Sequence, residues 1–474
     1  MEPAGSTFFW AFALFALASP LYRGGNRALP LLALELAAIG FLLVLALRRV
    51  RGHAIAPLPG TLVAAIAILL AWPIVQLVPL PAAFWSALPG HAPYADVLER
   101  FAAEGAARAP RAISVDPPST EYGALALLPP LAAMLAVRTL APVQVVWLLT
   151  AMAVMAGFEG VLGLLQVATG ASSPFNFGNT HGGGMATGTF VNRNHLAALL
   201  AMALPVIVGL VTYRARRSRH EALRGRAGDA NAVAQRALLF ACAIVVLLGL
   251  VFTASRAGIA TALVGLAMTA LLLVPGRGSA RRARGIVVAL LLAGFALAAG
   301  IGLAPVLDRF APDALELSGD GRFALYAATL RAAVDFLPFG SGMSTFATVF
   351  PRYQAGAFGG YVDFAHNDYL QAFLELGLAG AIAVALLVAT WASRMASLLA
   401  RASARSFTLL QIAAGVGMLP LALHSAFDFA LRMPGNALWF AVLFGVLLHP
   451  GVPEVAREGS AGARRTAEGP GGAP

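Results

Sequence analysis

Apolar runs of roughly 20 residues recur from one end of this chain to the other, divided by short polar breaks, and this limits what it can fold into. A run of that length crosses the hydrocarbon core of a bilayer as a helix. In lipid each backbone N–H and C=O must be satisfied internally, so only helices and closed barrels can span. Barrel strands alternate apolar and polar residues, whereas these runs are continuous. The composition agrees: 59% of residues are hydrophobic, 12% are charged and the mean hydropathy is +0.78. A soluble domain is about a quarter charged. A soluble enzyme, a disordered chain and a collagenous one are excluded, and the expected class is an all-α polytopic membrane protein.

A window of about 19 residues gives about twelve spans. They lie at roughly 7–22, 29–47, 58–81, 122–140, 143–168, 195–213, 237–253, 257–275, 285–305, 369–393, 407–424 and 435–448, the first and last being short. The net charge of +11 is carried on the basic side by arginine alone. The arginines sit in short clusters between spans, the pattern of a topology signal rather than of a nucleic-acid surface, so no nucleic-acid partner is expected. With the N-terminus placed in the cytoplasm, the inside segments hold 21 of the 33 arginines although they are the shorter ones. Both termini are then cytoplasmic. The stretch from Thr7 to Tyr22 has no basic n-region and is read as the first span, not as a cleaved signal. Cys242 is the one cysteine and lies in an apolar run, so no disulfide framework exists. Residues 1–450 are expected to form a single transmembrane domain, and 451–474, rich in Gly, Ala and Arg, a disordered cytoplasmic tail.

Chemistry-bearing residues gather on the outside face of this topology, in the segments 82–121, 169–194 and 306–368. The midplane is nearly free of ionisable groups, Glu35 and Glu159 being the main exceptions, with Glu375 nearer a helix end. A transporter would need charged sites near the bilayer centre; an enzyme acting on a lipid-borne substrate needs its site at one interface.

Five outer motifs follow. Thr187-Gly-Thr-Phe-Val-Asn-Arg-Asn-His195 enters the sixth span and sets Arg193 and His195 at a helix N-terminus, which favours an anion; the plain alternative is a snorkelling arginine beside a capping asparagine. Thr253-Ala-Ser-Arg-Ala-Gly258 turns between two spans with almost no loop, holding Arg256 at phosphate depth, where an arginine can bind bidentately or simply anchor. Asp320-Gly-Arg-Phe-Ala-Leu-Tyr326 opens an amphipathic helix over about 321–337, with Asp320 placed to cap it. Arg322 and Tyr326 share a face of that helix, unless Arg322 pairs with Asp320 or Asp335. His366 stands at the mouth of the tenth span, where it can accept a proton, with Gly377 and Gly380 further along for close packing against a neighbour. Lastly, His424-Ser-Ala-Phe-Asp-Phe-Ala-Leu-Arg-Met-Pro434 is an outward turn in which Asp428 and Arg432, four apart, read as a structural pair at a helix end.

These residues resemble a known family. His366-Asn367, followed after nine residues by Gly377-x-x-Gly380, is similar to the signature of O-antigen ligases. The Gly-Thr-Phe-Val-Asn-Arg-Asn-His stretch, the Ser-Arg-Ala-Gly turn, the Asp-Gly-Arg-Phe helix start and Pro338-Phe-Gly-Ser-Gly342 look like that family too. The resemblance covers roughly 150–445, with a ligase-like core at 170–445. It implies a fold like the membrane-embedded C type of glycosyltransferase, with one larger periplasmic loop, 306–368, bearing short helices. It also implies transfer of a glycan from undecaprenyl diphosphate to lipid A–core at the periplasmic face of the bacterial inner membrane, with inversion and without a metal. By the same resemblance Arg256 and Arg322, with Arg193, hold the diphosphate and His366 is the base. His195, Asn367 and Tyr326 support them.

The residues alone are compatible with this chemistry. A sugar diphosphate has a good leaving group already, so the reaction needs charge neutralisation, which arginines supply, and a base for the incoming hydroxyl. No Asp-x-Asp or clustered carboxylates point to a divalent metal, and no cofactor is indicated. The expected partners are the lipid-linked glycan donor, lipid A–core or another hydroxyl acceptor, and membrane lipids. A polymerase or protein O-oligosaccharyltransferase of the same superfamily is the alternative within this chemistry, and a transporter the alternative outside it.

Overall fold

The computed structural model describes residues 5–53, 55–101, 109–180, 184–223, 230–273, 312–354, 360–400 and 406–451, with positions 285, 288, 289 and 292. Among these residues the chain is a bundle of apolar helices: α1 (Ser6–Ala18), α2 (Ala28–Val50) and α3 (Gly60–Gln76) come first. A short polar helix α4 (Ala92–Phe101) precedes the paired pieces α5 (Pro117–Leu125) and α6 (Leu128–Val137). Then follow α7 (Pro142–Thr169), α8 (Arg193–Ala222), α9 (Ala230–Phe252), α10 (Arg256–Leu272), α11 (Pro312–Asp335), α12 (Asp368–Ala400), α13 (Ser406–His424) and α14 (Pro434–Leu447). Seven helical stretches are long and apolar enough to cross a membrane: α2, Pro117–Val137, α7, Arg193–Arg219, Asn231–Phe252, α12 and α13. Helices α1, α3, α10 and α14 are apolar but shorter. Together they fall on eleven of the twelve expected spans; the other, 285–305, lies outside the described residues apart from the four isolated positions, as does the expected tail after Gly451.

Lipid is as apolar as leucine, so these helices gain little from hydrophobic contact and pack where small residues let backbones approach. Gly209 abuts Ala413, Gly249 abuts Gly160, and Gly445 abuts Met134 and Val137, each too close to admit a Cβ without a shift. Helix α8 is the centre, with 83% of its most apolar window buried, and α13 is next at 78%; α2, at 22%, lies on the rim.

The polar segment 82–121 begins on a two-stranded antiparallel ribbon, Pro79 opposite Ala112 and Leu80 opposite Arg111. Trp85 Nε1 donates to the Ala112 carbonyl at 2.7 Å, and the Arg111 guanidinium lies over the indole ring. Beside it a second small core of Leu325, Phe336, Phe346, Phe350, Ala365 and Leu374 ties α11 to the start of α12.

Two expectations are corrected here. Helix α11 begins at Pro312, not near Gly321, so Asp320 lies within the helix and cannot cap it. A proline preset to a helical φ starts a helix readily, and an exposed mid-helix glycine does not stop one. Second, α12 is broken. Gly377 has φ +59° and ψ −142°, which splits the helix into 368–376 and 378–400. The neighbour that Gly377 admits is not another helix but the loop 338–342, whereas Gly380 packs against Ala372 and Leu376 across the break. Ser341 N donates to the Leu374 carbonyl and Gly342 N to the Glu375 carbonyl, both at 3.0 Å, and Leu378 N donates to the Pro338 carbonyl at 3.0 Å. Gln76 Nε2 adds bonds to the Phe339 and Glu375 carbonyls at 3.0 and 2.8 Å. The polar groups released by the break are thereby satisfied inside protein, the condition for irregular backbone in a membrane domain.

Candidate active site

The site assembles at one end of the bundle, from the N-termini of α8, α12 and α14, the side of α11 and the turn after α13. His366 precedes α12. Its φ of +49° is unusual for a residue with a Cβ, and three bonds hold the backbone there. Tyr326 Oη on α11 donates to the His366 carbonyl at 2.8 Å, Asp368 N donates to the Ser425 carbonyl at 2.8 Å, and Tyr369 Oη donates to the Ala422 carbonyl at 2.6 Å. Asn367 is the helix cap, its Oδ1 accepting from the backbone N–H groups of Tyr369 and Leu370 at 3.1 and 3.0 Å.

The partner of His366 is Asp428. Nδ1 of the ring lies 3.0 Å from Asp428 Oδ1; the imidazole side chain is 34% exposed and the carboxylate 1%. An ionised carboxylate can only accept, so Nδ1 carries the hydrogen and the neutral ring presents the Nε2 lone pair. Asp428 also accepts from Asn194 Nδ2 at 2.5 Å and from Phe429 N at 2.9 Å. Burial by itself would raise its pKa. The His366 hydrogen bond, with the imidazoles of His195, His366 and His424 nearby, outweighs that and holds the carboxyl below its ordinary range. The arrangement suits a general base held in one tautomer by a buried carboxylate.

This corrects the pairing expected between Asp428 and Arg432. The i,i+4 rule holds on an α-helix, but α13 ends at His424 and Ala430–Arg432 is a 3-10 turn, so the two side chains point to different partners. Arg432 instead bonds Glu375 Oε2 at 2.9 Å and lies 3.5 Å from Asp368 Oδ1.

Phe429 joins the pieces. The Phe364 ring stacks on it at 4.0 Å, and the imidazoles of His195 and His366 meet it edge-on at 4.7 and 4.9 Å. His195 is thus buried against an aromatic ring, and its carbonyl accepts from Asn436 Nδ2 at 3.1 Å.

Arg322 is half-buried on α11 one turn before Tyr326 and acts electrostatically on both Tyr326 and His424. It forms no pair with Asp335, whose Oδ2 accepts from Tyr353 Oη at 2.7 Å. Burial raises the Tyr326 pKa, Arg322 opposes this and Asp428 adds to it; the phenol stays protonated and able to donate. Arg256 is the first residue of α10, after a turn in which Ala254 has φ +49° and Ser255 Oγ accepts from Gly258 N. Gly258 packs against Ala197, half a turn beyond His195 on α8, which sets Arg256 at the same end of the bundle as the dyad. Arg193, half-buried, opens α8. Its motif is held down by two buried side chains of α7. Gln166 Oε1 accepts from Thr187 N and Gly188 N at 2.9 and 2.8 Å, and Glu159 accepts from Thr189 N and Oγ1 at 2.8 and 2.6 Å. Glu159, an intramembrane acid, therefore has a structural task.

Residues 240–385 match the family model described as O-antigen ligase. The match takes in Arg256, Arg322, His366 and the broken-helix glycine Gly377; Arg193, His195 and Asp428 fall outside it. A search of curated proteins finds no match. Residues 240–385, under a third of the chain, are thus similar to the O-antigen ligase domain.

Proposed function

We propose that this membrane protein transfers a glycan from undecaprenyl diphosphate to a hydroxyl of lipid A–core, at the periplasmic face of the bacterial inner membrane. The family supports a glycosyltransferase of ligase or polymerase type. The observation that carries the finer reading is the dyad: His366, partly exposed, with its Nδ1 on the buried carboxylate of Asp428. In this reading the acceptor hydroxyl gives its proton to His366 Nε2 as its oxygen attacks the anomeric carbon. The bond from that carbon to the phosphate oxygen breaks, and the electron pair leaves with the diphosphate. Arg322 and Arg256, with Arg193, neutralise the departing charge. Attack from the face opposite the leaving group inverts the anomeric centre. No acid is needed, because a diphosphate departs unprotonated, and no metal enters the step. The twelve-span, C-type architecture belongs to the same proposal.

The test is purified protein with undecaprenyl diphosphate-linked glycan and lipid A–core, in buffer free of divalent metal. Release of undecaprenyl diphosphate that depends on the acceptor is expected. The His366→Ala protein should bind donor and transfer nothing. Solute flux through proteoliposomes with no movement of glycan overturns the reading.

A further inference from the structure

Asp428 and His366 meet across two irregular segments. His366 sits in left-handed backbone before α12, and Asp428 sits in the turn between α13 and α14. A 3.0 Å contact between two such segments needs a second tie to define its register. Arg432 supplies one. Its Nη2 donates to Glu375 Oε2 at 2.9 Å and its Nε lies 3.5 Å from Asp368 Oδ1. Leu431 N donates to Asp368 Oδ2 at 2.9 Å. Glu375 is held from behind: Gln371 Nε2 donates to its Oε1 at 2.8 Å, and Gln371 Oε1 accepts from Ala365 N, the residue before His366, at 3.0 Å. The bonds close a ring, from His366 to Asp428, along the turn to Arg432, and back through Glu375, Gln371 and Ala365. Both carboxylates facing Arg432 are buried, Asp368 at 7% and Glu375 at 1% exposure.

We infer that Arg432 is a positioning residue of the transfer reaction, fixing the register of Asp428 against His366 through Asp368 and Glu375. In this assignment it acts through Asp428 and His366 rather than on the reacting atoms. The inference rests on the function proposed above. A guanidinium can face two carboxylates with two different nitrogens, which an ammonium cannot. Loss of the tie lets the imidazole drift by a fraction of an ångström to an ångström, a displacement that costs on the order of 10²-fold in rate.

The experiment uses the full-length purified protein with undecaprenyl diphosphate-linked glycan and acceptor. Arg432→Gln should lower kcat about 10²-fold and leave the KM for donor within about 2-fold. Arg432→Lys should recover part of the loss. In an Asp428→Asn background, Arg432→Gln should add less than about 3-fold, because the register matters only through Asp428. Full multiplication of the two losses, or a raised KM with kcat intact, overturns the inference. If Arg432→Gln does not yield folded protein, Glu375→Gln replaces it; that variant keeps a hydrogen-bonding side chain, removes the charge on the same tie and should show the same coupling. Wild-type transfer by His366→Ala would overturn the function itself. A dead His366→Ala with multiplicative Arg432→Gln and Asp428→Asn overturns only the role of Arg432.

Discussion

A single hydrogen bond separates a surface histidine from a candidate base. Asp428 accepts from Nδ1, so Asp428→Asn should be severe: the amide can donate to Nδ1 and favour the wrong tautomer. We expect kcat to fall about 10²–10⁴-fold with donor binding retained, measured as transfer rate and as binding of undecaprenyl diphosphate. Wild-type rates would remove Asp428 from the reaction. The same carboxyl gives a pH signature. Its folded pKa lies below the ordinary 3.8, so its stabilisation is fully present above that value and is lost as pH falls through the depressed folded pKa. Thermal unfolding in detergent should therefore steepen below about pH 4 for the wild type and less for Asp428→Asn. His366 and the arginines could be picked out from the chain because their types and motifs are distinctive. Asp428 could not. Four residues before an arginine it looks like half of a helix pair, and only the turn after His424 sends the two side chains apart.

At the scale of elements, the break in α12 is the feature with the sharpest steric demand. A Cβ on Gly377 would lie 2.2 Å from the Pro338 carbonyl oxygen, and one on Gly340 would lie 2.4 Å from the Glu375 carbonyl oxygen, both at positive φ. Gly377→Ala and Gly340→Ala should each cost at least about 1–3 kcal/mol, read as a lowered melting temperature and reduced yield of folded protein. Gly321 is the contrast. It lies within α11, exposed, with nothing within 4 Å of an added Cβ. Gly321→Ala should stabilise by about 0.5–1 kcal/mol; a lower melting temperature would show that α11 is not an ordinary helix there. Hydropathy located the apolar helices because burial in lipid needs only apolar length. It did not find the break, since glycine spacing is equally compatible with close helix packing. What turns Gly377 into an interruption is the upstream loop 338–342 docking on the freed carbonyls.

For the whole molecule, the arginine distribution predicts that the site end of the bundle faces the periplasm. Cys242 is the one cysteine and is buried, which makes labelling clean once it is replaced. In a Cys242→Ala background, Thr180→Cys, exposed near the site end, should react with a membrane-impermeant thiol reagent in spheroplasts. Arg219→Cys, exposed at the far end of α8, should react only after permeabilisation. The opposite pattern would put the site in the cytoplasm and end the proposed use of a periplasmic donor.

The sequence alone determined that this is a helical membrane protein and supplied the motifs from which the candidate site is drawn. Those facts are local: apolar length sets a span, and motifs of a few residues set a turn or a cap. The tertiary structure decided which of those residues meet. The dyad joins positions 62 apart, and the ring through Arg432 and Glu375 joins positions 57 apart. Such contacts depend on where α12 breaks and how the turn after α13 folds back, and these are fixed by packing between elements rather than by the residues nearest in the chain.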